Sequence, residues 1–361
     1  MKIENLEKEI LQTLHYFFFF DYPPSFKEIY TFLKKKVSKK SLASILEKMR
    51  QKSIIVIYKQ NNKSISNFKF PLQGKQIENS PKYTPPQYSI NQSQSSKLKS
   101  INNLAIKQFN NWHKRYVFSQ QKLNNFRFRL YIKLLSWFPQ IHLVGLSGTV
   151  AMMNAKEKDD IDLFIISAKK RIWTARIITL LIAQLLGLRR RASETNVKDK
   201  VCLNLFFDGL NLKIPRYKQS EYVAHEALQM KPLINKNNTY ERFLVANQWA
   251  FRIFPNAGNV IASPSETRAW QSHRERLLPF DFAQGKLPRN DKNILGNLLE
   301  NTLKKLQLTI IKQHQTSEIV TNTQLWFFPE DFENKLNGLT LKYNKLISGQ
   351  AQKRIRYNVP I

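Results

Sequence analysis

The chain has 361 residues, with 58 Lys and Arg against 26 Asp and Glu and a formal net charge of +32. This length allows two or three domains and a well-buried core, and the single cysteine, Cys202, excludes an internal disulfide and cysteine-rich zinc sites. The positive charge predicts a polyanionic partner, which could be nucleic acid, a nucleotide or an anionic membrane. A proteome that is rich in lysine throughout is the open alternative.

Histidine spacing and hydropathy exclude further classes of protein. The six histidines show no metal-ligand spacing, and the opening MKIENLEKEILQTL lacks a signal-peptide core, so a cytoplasmic location is expected. The most apolar run, residues 172–188, has about 17 residues and is interrupted by Arg176 and Gln184. Because that is the lower limit for a membrane span, a buried amphipathic helix is predicted, with a membrane anchor as the alternative.

Residues 1–75 follow the order of a winged helix-turn-helix domain. Three helical patterns, with Ser25 as one N-cap and Ser38 or Ser41 as the next, precede a strand, an Asn-Asn turn and a second strand up to Phe70. In such a domain the third helix, here residues 41–52, would enter a DNA major groove. The alternative is that this domain binds protein or packs on the rest of the chain. The basic residues near that helix are Lys39, Lys40, Lys48 and Arg50.

The remaining chain divides by composition. Residues 76–100 are rich in Gln, Asn, Ser and Pro, which predicts a polar linker. The predicted segments that follow are an α/β core at 101–215, a helical extension at 216–261, a poorly ordered insertion at 262–293 and C-terminal helices with a tail at 294–361.

A turn that suits phosphate groups lies within the predicted core. The apolar strand IHLVGL leads through Ser147, Gly148 and Thr149 into a short helix at residues 150–155. Such a turn presents free backbone N–H groups at a helix N-terminus, which favours binding of a triphosphate. The hydroxyl of Thr149 adds a further donor.

Two aspartates follow on the next predicted strand. The period of two places Asp160 and Asp162 on one face, with Ile161 and Leu163 in the core. Two neighbouring carboxylates repel each other when ionised, so their burial favours a divalent cation. Mg²⁺, which prefers oxygen ligands, fits best, and Mn²⁺ is the substitute.

This combination of turn and aspartates resembles the nucleotidyltransferase superfamily, which has the DNA polymerase beta-like fold. The family pattern is a strand, Gly-Gly or Gly-Ser, a short helix, and Asp-x-Asp or Asp-x-Glu on the next strand. Here Gly148, Thr149, Asp160 and Asp162 occupy those positions, and the resemblance covers residues 141–208. It implies an α/β nucleotidyltransferase-like core with a mixed sheet and helices. Residues 216–261 look like the helical extension of an uncharacterised bacterial subgroup.

The family also places a third carboxylate on a later strand. In KVCLNLFFD, alternation puts Cys202, Asn204, Phe206 and Asp208 on one face, so Asn204 is expected to face the pair and Asp208 to lie at the strand end. Asn can ligate a metal but cannot accept a proton. Three alternatives follow: Asp208 reaches in, two carboxylates suffice, or the domain binds nucleotide without turnover.

Other polar residues have two interpretations each. His225 and Glu226 in YVAHEALQM could approach the site, although a helical histidine is more often a packing residue. A basic turn could clamp phosphates or remain solvated. The basic residues of that turn are Arg189, Arg190, Arg191, Lys198 and Lys200.

The sequence therefore predicts a Mg²⁺-dependent enzyme that transfers a nucleoside monophosphate from an NTP, with ATP expected, to an unidentified acceptor. Asp160 and Asp162 would hold the metal, the turn at residues 147–149 would hold phosphates, and Asn204 or Asp208 would complete the site. The alternative is a winged-helix DNA-binding regulator whose transferase-like domain binds nucleotide without turnover.

Overall fold

A computed structural model of the chain describes residues 3–52, 55–58, 111–191, 194–261, 294–314, 319–327 and 357–360. The chain forms two compact units. The first comprises residues 1–114, 254–277 and 353–361, and the second comprises residues 115–253 and 278–352. The predicted second wing strand, the polar linker 76–100 and the insertion 262–293 lie outside the described residues.

The described helices are α1 (Ile3–Phe19), α2 (Phe26–Phe32), α3 (Lys39–Gln51), α4 (111–124), α5 (Phe126–Ser136), α6 (Gly148–Ala151), α7 (Ile172–Leu185), α8 (Glu221–Gln229), α9 (Thr239–Ala246), α10 (Trp249–Ile253), α11 (Gly258–Ile261) and α12 (Ile294–His314). The strands are β1 (Ile55–Tyr58), β2 (Ile141–Leu146), β3 (Ile161–Ser167), β4 (Val201–Asp208), β5 (Lys231–Asn235), β6 (Ile319–Val320), β7 (Gln324–Trp326) and β8 (Tyr357–Pro360). A 3₁₀ turn covers Arg216–Lys218.

In the first unit, α1, α2, α3 and β1 follow the predicted order. Ser25 caps α2 in a reciprocal capping box, since its hydroxyl accepts from the N–H of Glu28 while the Glu28 carboxylate accepts from the N–H of Ser25. Ser38 caps α3 by accepting from the N–H of Ser41 at 3.0 Å, so the N-cap of that helix is Ser38 rather than Ser41. Within the described residues, β1 pairs in parallel with β8.

The second unit contains a mixed six-stranded sheet in the order β5-β2-β3-β4-β7-β6, which confirms the predicted α/β class. β3 and β4 are parallel, and the other described neighbours are antiparallel. β5 corrects the expectation that its residues continue a helical extension. Lys-Pro-Leu-Ile-Asn is too short to show a helical period, and it pairs with the backbone groups of β2.

The residues of β3 alternate between two apolar layers. Ile161, Leu163 and Ile165 belong to a core with side chains of α5, α7 and α12, whereas Phe164 and Ile166 pack on the opposite face with α8 and α9. On that second face an aromatic cluster packs over the middle of the sheet, and the centroids of neighbouring rings are 4.9–5.3 Å apart. Its closest pairs are Phe164–Phe207, Phe164–Phe243 and Phe207–Trp326. The side chain of Asp162 therefore belongs to the face covered by α8.

Residues 172–185 of the apolar run form α7, a helix that is buried on one side, as the sequence predicts. It buries Ile172, Trp173 and Ile182 among other residues in the first of these layers. Within the part of the chain that the structure describes, no helix has the length and apolar character needed to cross a membrane.

The N-terminus of α7 is capped from a distant helix. Arg171 at the cap position makes no side-chain capping bond. Instead Glu300 of α12, which is 8 % exposed, accepts from the N–H groups of Trp173 at 2.8 Å and Thr174 at 2.9 Å and from the Thr174 hydroxyl. A carboxylate at this position satisfies two unpaired N–H groups and complements the helix dipole.

We expect Glu300→Ala to lower the free energy of unfolding by about 2 kcal/mol, because it leaves buried donors without an acceptor. Urea denaturation followed by circular dichroism measures the change. Asn301→Ala, on the neighbouring exposed position of α12, is the matched control and should change the midpoint little. Equal midpoints for the two variants would contradict the capping role.

Candidate functional site

The turn after β2 is built against the second aspartate. Gly148 has a φ of +63°, and a Cβ atom added there would lie 2.5 Å from Oδ2 of Asp162. The backbone N–H of Ser147 donates to the carbonyl of Asp162 at 3.0 Å. Both the left-handed backbone and the lack of space therefore require glycine at position 148, and they place the turn directly beside Asp162.

The two predicted aspartates lie together with the only cysteine. Asp160 precedes β3 and Asp162 is its second residue, and one ligand atom from each lies within 4.8 Å of the others and of Sγ of Cys202. Ile161 and Leu163 are in the core, as the alternation predicts. Burial, followed by the negative charges of Asp160 and Glu226, raises the pKa of Asp162 to about 7.

Cys202, rather than Asn204, is the residue opposite Asp162. The parallel register pairs Asp162 with Cys202, but it then shifts so that Phe164 pairs with Leu205. This irregularity adds one residue to β4 and breaks the simple alternation that placed Asn204 towards the pair. The carbonyl of Asn204 accepts from the N–H of Phe327 at 2.8 Å.

The structure does not bring Asp208 to the aspartate pair. It is paired with Ser167 at the opposite end of β3, about 17 Å along the strand from Asp162. Its carboxylate accepts from the N–H groups of Leu210 at 2.9 Å and Lys170 at 3.1 Å. Burial raises the pKa of Asp208, and these backbone donors oppose that change. Asp208 thus holds the loops at the far end of the strands.

A carboxylate near the pair comes instead from helix α8. Oε2 of Glu226 accepts from the N–H of Gly148 at 3.3 Å. Burial raises the pKa of Glu226 to about 7, although the bond from Gly148 opposes the rise. The sequence predicts only that Glu226 could approach the site, because no local spacing connects a residue of α8 to a turn 78 positions earlier.

The basic residues of the predicted turn make different contacts. Nη1 of Arg190 donates to Oδ2 of Asp160 at 2.5 Å and to Sγ of Cys202 at 3.2 Å. Arg189 and Arg191 instead line a cavity of about 300 Å³ together with Lys200. The other residues that line this cavity are Gln184, Gly187 and Glu194. Arg190 therefore faces the aspartates, while its two neighbours face a different space.

A buried lysine fixes the loop that leads into the pair. The side chain of Lys122 is 2 % exposed, and its Nζ donates to the carbonyls of Glu157 at 2.9 Å and Asp159 at 2.7 Å and to Oδ1 of Asp199 at 2.8 Å. The hydroxyl of Thr149 donates to Oδ2 of Asp159 at 3.3 Å. The loop, the turn and the start of β3 are consequently held by one hydrogen-bonded network.

Comparisons of the chain with models of known protein families, with curated proteins and with solved structures find no match. The function is accordingly inferred from the residues of the site.

We expect Gly148→Ala to destabilise the protein by more than the strain of a left-handed residue, which costs about 1–2 kcal/mol, because the new Cβ also displaces the Asp162 carboxylate. Gly187→Ala is the matched control. Gly187 also has a left-handed backbone, with a φ of +68°, but a Cβ atom added there would have room, since the nearest atom, Nη1 of Arg127, would be 3.7 Å away. Chemical denaturation of both variants measures the difference. Equal losses would contradict the close contact between Gly148 and Asp162.

We expect the stability of the metal-free protein to depend on pH through Asp162. Its pKa is about 7 in the folded state against an ordinary value of 3.8, so the folded state binds more protons than the unfolded state between these values, and stability falls as pH rises through this window. Asp162→Asn removes this loss. The free energies of unfolding of variant and wild type are compared in the presence of a metal chelator. From about pH 4 to about pH 8, the free energy of unfolding of the wild type should fall relative to that of the variant by on the order of 3 kcal/mol. Parallel stability curves would contradict the shift.

Proposed function

We propose that this protein is a divalent-metal-dependent nucleotidyltransferase, which moves a nucleoside monophosphate from an NTP to an acceptor that is not yet identified. The observation that carries the proposal is the contact between the turn and the strand. Gly148 lies against Asp162 so closely that no side chain fits between them, and the ligand atoms of Asp160 and Asp162 are within 4.8 Å of each other. A phosphate-binding turn and a metal-binding carboxylate pair would need this proximity.

The donor set fits a divalent cation. The negative charges of Asp160 and Glu226 both raise the pKa of the partly buried Asp162, and such crowded carboxylates are relieved by a cation. Asp160 and Asp162 would hold the divalent cation. A bound cation of this type would neutralise triphosphate charge in the transition state.

The chain's own groups would orient and activate the substrates. The N–H of Gly148 donates to the Glu226 carboxylate, and the hydroxyl of Thr149 donates to the Asp159 carboxylate. When the nucleotide binds, its phosphate oxygens would replace these carboxylates as the hydrogen-bond acceptors. Glu226, once released, would accept the proton of the acceptor hydroxyl. The acceptor oxygen then forms a bond to the α-phosphorus while the bond to the β-phosphate oxygen breaks, and pyrophosphate leaves.

A basic cavity separate from the aspartates also favours an anionic substrate. Arg189, Arg191 and Lys200 contribute three cations to one cavity of about 300 Å³, where Glu194 is the single acidic residue among the lining side chains. This excess of positive charge attracts phosphate groups of a nucleotide or of a polyanionic acceptor.

A second function has one observation in its favour. α3 exposes Lys39, Lys40 and Lys48, which are the residues that a recognition helix would bring to DNA. The protein would then be a DNA-binding regulator whose second unit binds nucleotide and does not consume it. The two functions differ in whether the NTP is turned over.

We expect Asp160→Ala and Asp162→Ala each to reduce transfer of label from α-³²P NTPs by about a hundredfold or more, because each removes a metal ligand. Separate reactions contain Mg²⁺, Mn²⁺, Co²⁺ or Zn²⁺ and offer RNA, proteins and small hydroxyl compounds as acceptors. Glu157→Gln removes an exposed carboxylate from the same loop, where it pairs with Lys198 at 2.8 Å, and should retain activity.

Equal transfer by wild type and both aspartate variants would refute the mechanism. Binding of NTP by the wild type without release of pyrophosphate, for every acceptor offered, would favour the regulator instead.

A further inference from the structure

The position opposite Asp162 holds a sulfur atom. Cys202 is 4 % exposed and is paired in register with Asp162 on the parallel neighbour β4, so their side chains lie on the same face of the sheet. Sγ of Cys202 and one oxygen from each aspartate all lie within 4.8 Å of one another. Three potential ligands, from β3, from the residue before it and from β4, thus lie close to one another.

A cationic group already spans two of these ligands. Nη1 of Arg190 donates to Oδ2 of Asp160 at 2.5 Å and to Sγ of Cys202 at 3.2 Å. The guanidinium therefore shows that positive charge is accommodated between the carboxylate and the sulfur. Arg189 and Arg191 line the separate cavity. Of these three consecutive arginines, Arg190 is therefore the one that contacts Asp160 and Cys202.

Sulfur changes the metal preference of a carboxylate pair. Carboxylates with water suit Mg²⁺, Ca²⁺ and Mn²⁺, whereas a thiolate selects more polarisable cations such as Zn²⁺. A thiol that binds a metal does so as thiolate, and its proton is released.

We propose that Cys202 is a third protein ligand of the divalent cation and that the site therefore prefers a thiolate-binding cation of the Zn²⁺ and Co²⁺ class over Mg²⁺. This inference rests on the metal site of the proposed function and names its cation class. On binding, the cation takes the sulfur in place of its proton, which passes to solvent, and the Arg190 guanidinium leaves Oδ2 of Asp160.

The absorption spectrum of Co²⁺ tests this ligand without any assay of activity. Titration of the full, reduced chain with Co²⁺ should produce the near-ultraviolet charge-transfer absorption of a cobalt–thiolate bond. Because Cys202 is the only cysteine among the 361 residues, this absorption reports on that sulfur alone. Excess Zn²⁺ should abolish it, whereas the same excess of Mg²⁺ should leave most of it.

Four variants isolate the contributions. Cys202→Ser should lose the charge-transfer absorption and bind Co²⁺ about tenfold or more weakly in calorimetry, while circular dichroism confirms that it is folded. Asp160→Ala should weaken Co²⁺ binding and so lower the absorption at a fixed Co²⁺ concentration, since one of the oxygen ligands is removed. Arg190→Gln should bind Co²⁺ about tenfold more tightly, because the competing cation is gone, whereas Arg190→Lys, which keeps the charge, should change less.

The outcomes separate this inference from the proposed function. Co²⁺ binding that depends on Asp160 but gives no thiolate absorption would overturn the role of Cys202 and leave the transferase proposal intact. No binding of Co²⁺, Zn²⁺, Mn²⁺ or Mg²⁺ would overturn both. Thiolate absorption without nucleotidyl transfer would support the cysteine ligand and count against the transferase.

Discussion

Repulsion among carboxyl groups at one end of β3 is the constraint around which this site is organised. Asp160 and Glu226 both raise the pKa of Asp162, and burial does so most of all. The chain offsets the repulsion with two internal partners. Arg190 is bonded to Asp160, and the N–H of Gly148 is bonded to Glu226. Groups of the protein itself therefore provide a positive charge to Asp160 and a hydrogen-bond donor to Glu226.

The fold explains why these groups meet. β3 lies inside the sheet between β2 and β4, so the turn that follows β2 and the first residues of β4 both reach the start of β3. α8 covers the face that carries Asp162, and its Glu226 arrives from that side. Lys122 fixes the loop before the pair through two carbonyls and a carboxylate. Rigid support of this kind keeps charged groups in place when they are only partly exposed to water.

Part of this structure can be predicted from local sequence patterns. The caps at Ser25 and Ser38 follow from side-chain chemistry within three residues, and the closeness of Asp160 to Asp162 follows from their spacing of two residues at the start of a strand. Contacts over long distances were not predictable in this way. The shift in register that selects Cys202 depends on how β4 pairs with β3, the approach of Glu226 depends on the packing of α8, and β5 is a strand because β2 offers it a free edge.

The pairing of β1 with β8 has a consequence for how the chain acquires its structure during synthesis. Ile55 lies beside Tyr357, so two neighbouring strands are separated by about 300 residues, and closing so long a loop is slow as well as entropically costly. β1 must wait for its partner until residues 357–360 have been synthesised. The intervening residues include the whole sheet of the second unit, which has time to fold on the ribosome first. The first unit is thus completed only after the strands of the second unit have been synthesised.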